Sequence, residues 1–585
     1  MKTKLKFLAK YFKTLQIPFI FSFFASLIFI PSTLLIPLFV GKGVDVFTDA
    51  FKYGIKFEIY IKDVIKYCAI IATLIILVVI FQYIYEAILN VIFEKVVKNI
   101  RDDVFIKLNK VKIKYLDSKM NGELVSRIIN DCDNISIGLV SGFKQLYQGI
   151  LTIILTICFM FYANYILALV ILVLTPLSFL ISYQVAKKSN KHFKNQAKLV
   201  GNISSIVLED FNNIDIIKSF NYEEEAFLKF NNVNQNLNKA GQKAQFISSF
   251  TNPSTRLINN SIYAIVGIIG AVLVAFGSNL EIGATLTIGG ITTFLQYANQ
   301  FAKPLNEISS CISEIQSSFV SINRINEILK VEDDIDEGKE ILNKNINKLT
   351  FKDIAFGYNE NKLIYKDLDF DIFQGKKIAL VGPTGCGKTT IINLILRFYE
   401  PNNGDILVNN TNIQNFMKSS YRSKFGMVLQ DSWIFNGTVL DNIKYANKDA
   451  TLDEVIEVSK KANCYEFITR LPKGFNTIIN DDSGLSSGEK QLICIARVML
   501  SKASFLILDE ATSNVDTRTE LIIGKALDEL MKNKTSIVIA HRLSTIKTSD
   551  LILVIKDGVI IEQGNHEELL NKKGFYYNLF TSQYS

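Results

Sequence analysis

The chain is poor in the residues that build disulfide or metal frameworks. Its 7 cysteines are scattered without paired or metal-like spacing. Its 3 histidines, His192, His541 and His566, are too few and too dispersed for a zinc site. A disulfide-stapled secreted fold and a zinc module are therefore excluded, and the pattern fits a reducing interior. The basic N-terminus has no small-residue cleavage site after its long apolar stretch, so an uncleaved first span is expected rather than a signal peptide. Charge is also missing over long stretches of the first half, and this absence directs the rest of the reading.

At 585 residues the chain exceeds one ordinary core, so at least two domains are expected. With 49% hydrophobic residues and a positive mean hydropathy it is too apolar for a wholly soluble protein. A net charge of +8 raises nucleic acid as a partner, but the excess Lys and Arg are placed as a membrane protein places them, so no nucleic acid is expected. Residues 1–325 carry the apolar runs. A span needs roughly 20 such residues. Candidates lie at about 17–40, 64–89, 139–162, 165–186, 257–277 and 284–302, the last being the weakest. The segments 94–136 and 187–245 carry nine Lys/Arg each, and the N-terminal segment holds Lys2, Lys4, Lys6, Lys10 and Lys13. The turns at 163–164 and 278–283 carry no Lys or Arg, and the second holds only Glu281. Both termini and the two long loops are accordingly expected on the cytoplasmic side, with helices continuing well beyond the bilayer. Glu86 and Lys144 read as solvated residues on those extensions, the alternative being that they line a substrate path. Lys303 and Glu307 read as an exposed i,i+4 pair.

An acidic linker, 331–340, within a boundary region of 326–344, leads to a soluble α/β domain at 345–585. "KKIALVG" reads as a buried strand and "IINLILRF" as a helix, with "GPTGCGKTT" between them. That order gives the G-x-x-x-x-G-K-[ST] pattern its meaning. The loop comprises Gly382, Pro383, Thr384, Gly385, Cys386, Gly387, Lys388, Thr389 and Thr390. Its glycines let backbone N–H groups approach phosphates at a helix N-terminus. Lys388 suits the β- and γ-phosphate oxygens, and the Thr389 hydroxyl suits Mg²⁺. The helix N-terminus should also favour the Cys386 thiolate. "SFLILDE" is a strand ending in two acids, Asp509 to hold Mg²⁺ through water and Glu510 to polarise an attacking water. Gln430 and His541 close two further strands, and Tyr358 offers an aromatic face or is an ordinary strand aromatic. "LSSGEKQ" reads locally as a helix capped by Ser486 or Ser487, with Glu489 in its first turn.

Tyr358, "GPTGCGKTT", Gln430, "LSSGEKQ", "FLILDE", "SNVD" and His541 occur in that order. In this the whole chain resembles an ABC transporter half: an all-α six-helix exporter-type membrane domain fused to an α/β P-loop ATP-binding cassette. The resemblance implies that ATP and Mg²⁺ are the cofactors. It implies adenine stacking on Tyr358, a Mg²⁺ and coupling role for Gln430, Glu510 as catalytic base and a γ-phosphate contact for His541. It further implies a linking role for Asp516, a phosphate contact from Ser486 and Gly488 to the nucleotide of a second cassette, and coupling helices at 121–127 and about 209–218. A dimer with a second half-transporter chain follows. Two departures stand out, since Ser487 and Glu489 replace a glycine and a glutamine of the usual signature. With Lys388, Asp509, Glu510 and His541 intact, this tilts the expectation toward a heterodimer over a homodimer. The implied activity is multidrug-type export of small amphipathic or apolar compounds through the lipid bilayer of a bacterial cytoplasmic membrane. Lipid or peptide translocation is the first alternative, and an ATP-gated sensor the second. No peptidase domain precedes the first span, so processing of cargo is not expected.

Overall fold

A computed structural model describes residues 2–54, 57–119, 121–276, 286–359, 362–429, 432–480, 484–509, 517–539 and 543–584. The chain separates into two units, Met1–Lys110 with Lys119–Val331, and Val111–Ser118 with Glu332–Ser585.

The first unit is helical. Its long helices are Gln16–Tyr53, Phe57–Leu108, Lys144–Ala163, Tyr165–Asn212, Thr251–Phe276 and Ile288–Lys330. At about 1.5 Å per residue, Phe57–Leu108 is far longer than a hydrocarbon core of about 30 Å, so it extends past it. Local chemistry sets the ends. Gln16–Tyr53 stops at Gly54, whose φ of +58° closes the helix with an N–H bond to Ala50 O. Tyr165–Asn212 starts where the Asn164 side chain accepts from the N–H groups of Ile166 and Leu167. Among the described residues four spans are long and apolar enough to cross a membrane: Lys6–Tyr53, Tyr60–Leu108, Gly122–Ala163 and Arg256–Ala275. The other two expected spans are present as helices but differ in character. Tyr165–Asn212 offers the shorter apolar run Tyr165–Pro176. Ile288–Lys330 carries amides and charges along much of its length.

The helices meet through a shared apolar core that includes Phe29, Tyr85, Phe93, Phe294 and Tyr297. Gln16–Tyr53 and Ile288–Lys330 approach so closely that a Cβ on Gly289 would stand 1.9 Å from Gly41 O, as small residues permit in membrane helices. Asp45 fixes the same crossing by accepting from Gly289 N at 2.7 Å and Thr287 Oγ1 at 2.8 Å.

Glu86 and Lys144 differ from the expectation of two separately solvated groups. They form a 3.2 Å ion pair between two helices and are 39% and 22% exposed. Lys303 and Glu307 make the expected exposed pair, at 3.9 Å.

The second unit contains two main sheets. A four-stranded antiparallel sheet runs in the order Tyr365–Phe373, Lys348–Phe356, Asn403–Val408, Thr411–Asn412. A six-stranded sheet runs Val559–Gly564, Leu551–Lys556, Lys377–Val381, Thr535–Ile539, Phe505–Asp509, Phe425–Val428. Its five strands other than Val559–Gly564 pair in parallel, and their near-continuous apolar runs match burial on both faces. The acidic stretch after Val331 is packed rather than free. Asp334 meets Lys418 Nζ at 2.6 Å, and Asp336 accepts from Lys418 N at 2.6 Å.

Candidate nucleotide site

Parallel strands deliver their C-terminal ends to one edge, where α/β sheets place ligands. Leu380 pairs with Ile539, and Ile539 pairs with Asp509. The loop after Val381 and the Asp509 carboxylate therefore emerge two strands apart on that edge. Val428 pairs with Leu508, so a third strand ends beside them. Gln430, Glu510, Asp516 and His541 follow these strand ends in sequence but lie outside the described residues.

The loop from Gly382 to Gly387 turns into the helix Lys388–Ile395, which buries Ile391, Ile392, Leu394 and Ile395 together with Lys388 and Thr390. Gly387 holds a φ of +107°, and a Cβ there would stand 2.4 Å from Tyr365 Oη. That hydroxyl donates to Gly387 O and pins the turn from below. Gly385 also has a left-handed φ, +83°, with open space around it. Pro383, Thr384, Gly385 and Thr389 are exposed, whereas Cys386, Lys388 and Thr390 are buried. Lys388 Nζ donates to Gly382 O at 2.8 Å and Pro383 O at 3.0 Å, so the ammonium is held within its own loop. Cys386 Sγ lies 3.8 Å from that ammonium. The exposed Thr389 hydroxyl and the Asp509 carboxylate are hard oxygen donors, a set that suits Mg²⁺.

Tyr358 is anchored on the phosphate-loop helix. Its hydroxyl accepts from Asn393 Nδ2 at 2.9 Å and lies 3.3 Å from Thr390 Oγ1. Tyr399 stands edge-on to its ring, with centroids 4.9 Å apart at 89°. Tyr399 Oη in turn donates to Asp117 Oδ2 at 2.6 Å. Burial, and then this bond to a carboxylate, raise the Tyr399 phenol above its ordinary pKa, so the proton stays on the phenol. Sequence reasoning missed Tyr399. Its only signal is its position, three residues after Leu396 at the end of the phosphate-loop helix.

Asp117 ends the short helix Ile113–Asp117, which clusters with the second unit although its chain neighbours belong to the first. Val111 bridges Asp333 beside it. This segment precedes the stretch expected to dock. Residues 121–127 stay in the first unit, where Arg127 meets Glu123 at 2.7 Å and donates to Arg324 O at 3.0 Å. Within the other expected docking stretch, the helix Ile214–Ser219 is exposed, as are Phe211 and Phe220 beside it.

Ser486 caps the helix Ser487–Leu500. Its Oγ accepts from Glu489 N at 3.2 Å, and Glu489 Oε2 accepts from Ser486 N at 2.9 Å and from Ser486 Oγ at 3.0 Å. This reciprocal capping box gives Glu489 a local role. Gly488 is buried in the first turn, while Ser486 and Ser487 are exposed.

Comparisons with known proteins agree with this geometry. Residues 19–305 match the family model described as ABC transporter transmembrane region, and residues 365–513 match that described as ABC transporter. A fatty acid ABC transporter ATP-binding/permease protein of Mycobacterium bovis is 37% identical over 492 residues, covering 84% of this chain and 77% of that protein. An ATP-dependent lipid A-core flippase of Saccharophagus degradans is 32% identical, covering 84% and 82%. The solved structure of a bacterial Atm1-family ABC exporter with ATP bound has a TM-score of 0.77 at 25% identity, covering 98% of this chain and 99% of that one.

Proposed function

This chain belongs to the ABC transporter family as an ATP-driven exporter half, and on that premise we propose that it moves amphipathic or apolar compounds outward across a bacterial cytoplasmic membrane. Both termini and the loops rich in Lys and Arg face the cytoplasm in this reading. Two cassettes enclose the nucleotides, each ATP lying between the Gly382–Thr390 loop of one chain and the Ser486–Gly488 turn of the other. The observation that carries the reading is the coexistence of these half-sites on one chain. The phosphate loop ends a parallel strand, and an exposed capped helix N-terminus presents Ser486.

The residues divide the work as follows. Backbone N–H groups of the loop and the Lys388 ammonium bind and orient the phosphates. Tyr358 takes the adenine. Thr389, Gln430 and Asp509 would hold Mg²⁺, which supplies charge neutralisation at the phosphate oxygens when bound. Glu510 orients the attacking water, His541 contacts the terminal phosphate, and Asp516 belongs to the loop that links the two sites. Movement of the cassettes reaches the membrane helices through Ile113–Asp117, already seated on the second unit, and through the exposed Ile214–Ser219 helix. Phe220 beside that helix is 77% exposed, an apolar surface suited to a second cassette. The second chain is a different half-transporter in the favoured form and a copy of this one in the alternative. Lipid translocation is a second reading, favoured by the two lipid-related names among the relatives.

MgATP hydrolysis by the purified chain in lipid nanodiscs, beside Glu510→Gln, tests this proposal. Glu510-dependent turnover is expected of a working homodimer, and turnover only after a partner chain is added is expected of a heterodimer. Hydrolysis that persists unchanged in Glu510→Gln would overturn the catalytic assignment.

A further inference from the structure

The first unit holds an open cavity of about 400 Å³ lined by the helices Gln16–Tyr53, Phe57–Leu108, Lys144–Ala163 and Ile288–Lys330. One part of its wall is apolar, with Phe29, Leu34 and Val78. The other part is polar and carries charge of both signs. Lys144, Lys303 and Glu307 line it, and Glu86 stands one step behind Lys144 in a 3.2 Å ion pair. Gln82, which also lines the cavity, donates to that same Glu86 carboxylate at 3.3 Å. Two further lining amides, Gln145 and Gln300, present buried Oε1 atoms with no hydrogen-bond partner.

Position gives this arrangement its meaning. Lys144 lies 20 residues before Asn164 on the continuous helix Gly122–Ala163, so it stands about 30 Å from the turn there, one hydrocarbon thickness away. Lys144 therefore stands near the membrane surface next to the Lys-rich loops, with the apolar part of the wall beside the charged part. A cavity of this shape suits an amphiphile with its polar head at that surface.

The signs of the charges narrow the head. A purely anionic head would meet Lys144 and Lys303 but press against Glu86 and Glu307. A purely cationic head would meet the acids and press against the lysines. A head carrying both signs can meet either half of each pair without stranding the other. Its ammonium N–H groups also supply what the Gln145 and Gln300 oxygens lack, since a buried acceptor is satisfied only by a donor. We propose that this cavity is a headgroup site for zwitterionic amphiphiles, with the anionic group toward Lys144 and Lys303. The ammonium lies toward Glu307 and the two amide oxygens. The proposal rests on the exporter reading above and names its substrate class.

The test is native mass spectrometry of the full chain released from detergent micelles. Three single-chain amphiphiles serve as probes: lysophosphatidylethanolamine, lysophosphatidylglycerol and hexadecyltrimethylammonium. The zwitterion is expected to be retained at least tenfold more tightly than either singly charged probe. Glu86→Gln should shift the preference toward the anion, and Lys144→Gln toward the cation. The double variant, which removes the Glu86–Lys144 pair at nearly constant volume and leaves Lys303 and Glu307, should narrow the discrimination to below about threefold. A thermal shift with MgATP on each variant reports that the second unit is folded. Equal retention of the three probes, or single variants that leave the order unchanged, would overturn the proposal. Glu510-dependent hydrolysis, measured on the same preparation, reports separately on the exporter reading. Headgroup selectivity without turnover would therefore count against that reading and not against the site.

Discussion

Replacing Tyr399 with phenylalanine removes one oxygen and leaves the ring that packs against Tyr358 in place. The lost contact is a 2.6 Å bond from a phenol to the Asp117 carboxylate. Bonds to charged groups contribute about 1.5–3 kcal/mol when well shielded. Tyr399 is half-buried and Asp117 is exposed, so water competes and a value of about 1 kcal/mol is the better expectation. The bond fastens the Ile113–Asp117 helix, which has no buried residue of its own, to the second unit. Local opening of 111–118 should therefore become easier by the same free energy. A change of about 1 kcal/mol is roughly a fivefold change in an equilibrium constant, so amide exchange across 111–118 should accelerate about fivefold. Hydrogen–deuterium exchange in nanodiscs reads this directly. ATP affinity should stay within about twofold, because Asn393 and Thr390 still anchor Tyr358. Asp117→Ala should resemble Tyr399→Phe, and the double variant should be no worse than either single one, since all three remove the same bond. Unchanged exchange, or additive effects in the double variant, would show that this bond does not hold the segment.

Three further outcomes follow from local geometry. Glu489→Gln keeps an N3 side chain able to accept from Ser486 N but removes a negative charge beside the turn proposed to contact phosphate, so the KM for ATP should fall by about two- to fivefold in steady-state hydrolysis. Gly387→Ala places a Cβ 2.4 Å from Tyr365 Oη at a φ of +107°, so ATP binding measured by calorimetry should weaken at least about tenfold. Asp334→Ala leaves the Lys418 ammonium, 11% exposed, without its carboxylate, and should destabilise the cassette by about 2–4 kcal/mol in a denaturant titration.

Much of the site was legible because it is local. A strand, a glycine loop and a helix in sequence announce a phosphate cradle, and Ser486 with Glu489 three residues on announces a capping box. Four of the helices were legible for the same reason, each holding a continuous apolar stretch. What stayed hidden depends on pairs distant in sequence. Glu86 and Lys144 are 58 residues apart, and nothing in either segment says that they form an ion pair. The docked segment Ile113–Asp117 is too short to show a period, so the eye moves on to the more patterned 121–127. The acidic run at 331–340 reads as a solvated linker because its partner, Lys418, lies about eighty residues further on.

The capping box bears on how the unusual signature is to be understood. Read against the usual pattern, Ser487 and Glu489 look like drift away from function, and drift on one chain favours a different chain opposite it. The structure gives Glu489 a positive reason to be there. Its carboxylate accepts two bonds from Ser486 and so fixes the first turn of a helix that buries Leu492, Ile493 and Ile495. Both bonds end on one oxygen, which a glutamine also offers, but a carboxylate accepts them more strongly and favours the helix N-terminus by its charge. The same charge would oppose a phosphate at this turn, the contact proposed above. Stability of the turn and affinity for nucleotide therefore pull in opposite directions at one residue. A glutamate there marks a turn built for rigidity as readily as one released from catalysis. The signature alone thus weighs less toward a heterodimer than the count of departures implies, and turnover by the isolated chain carries the decision.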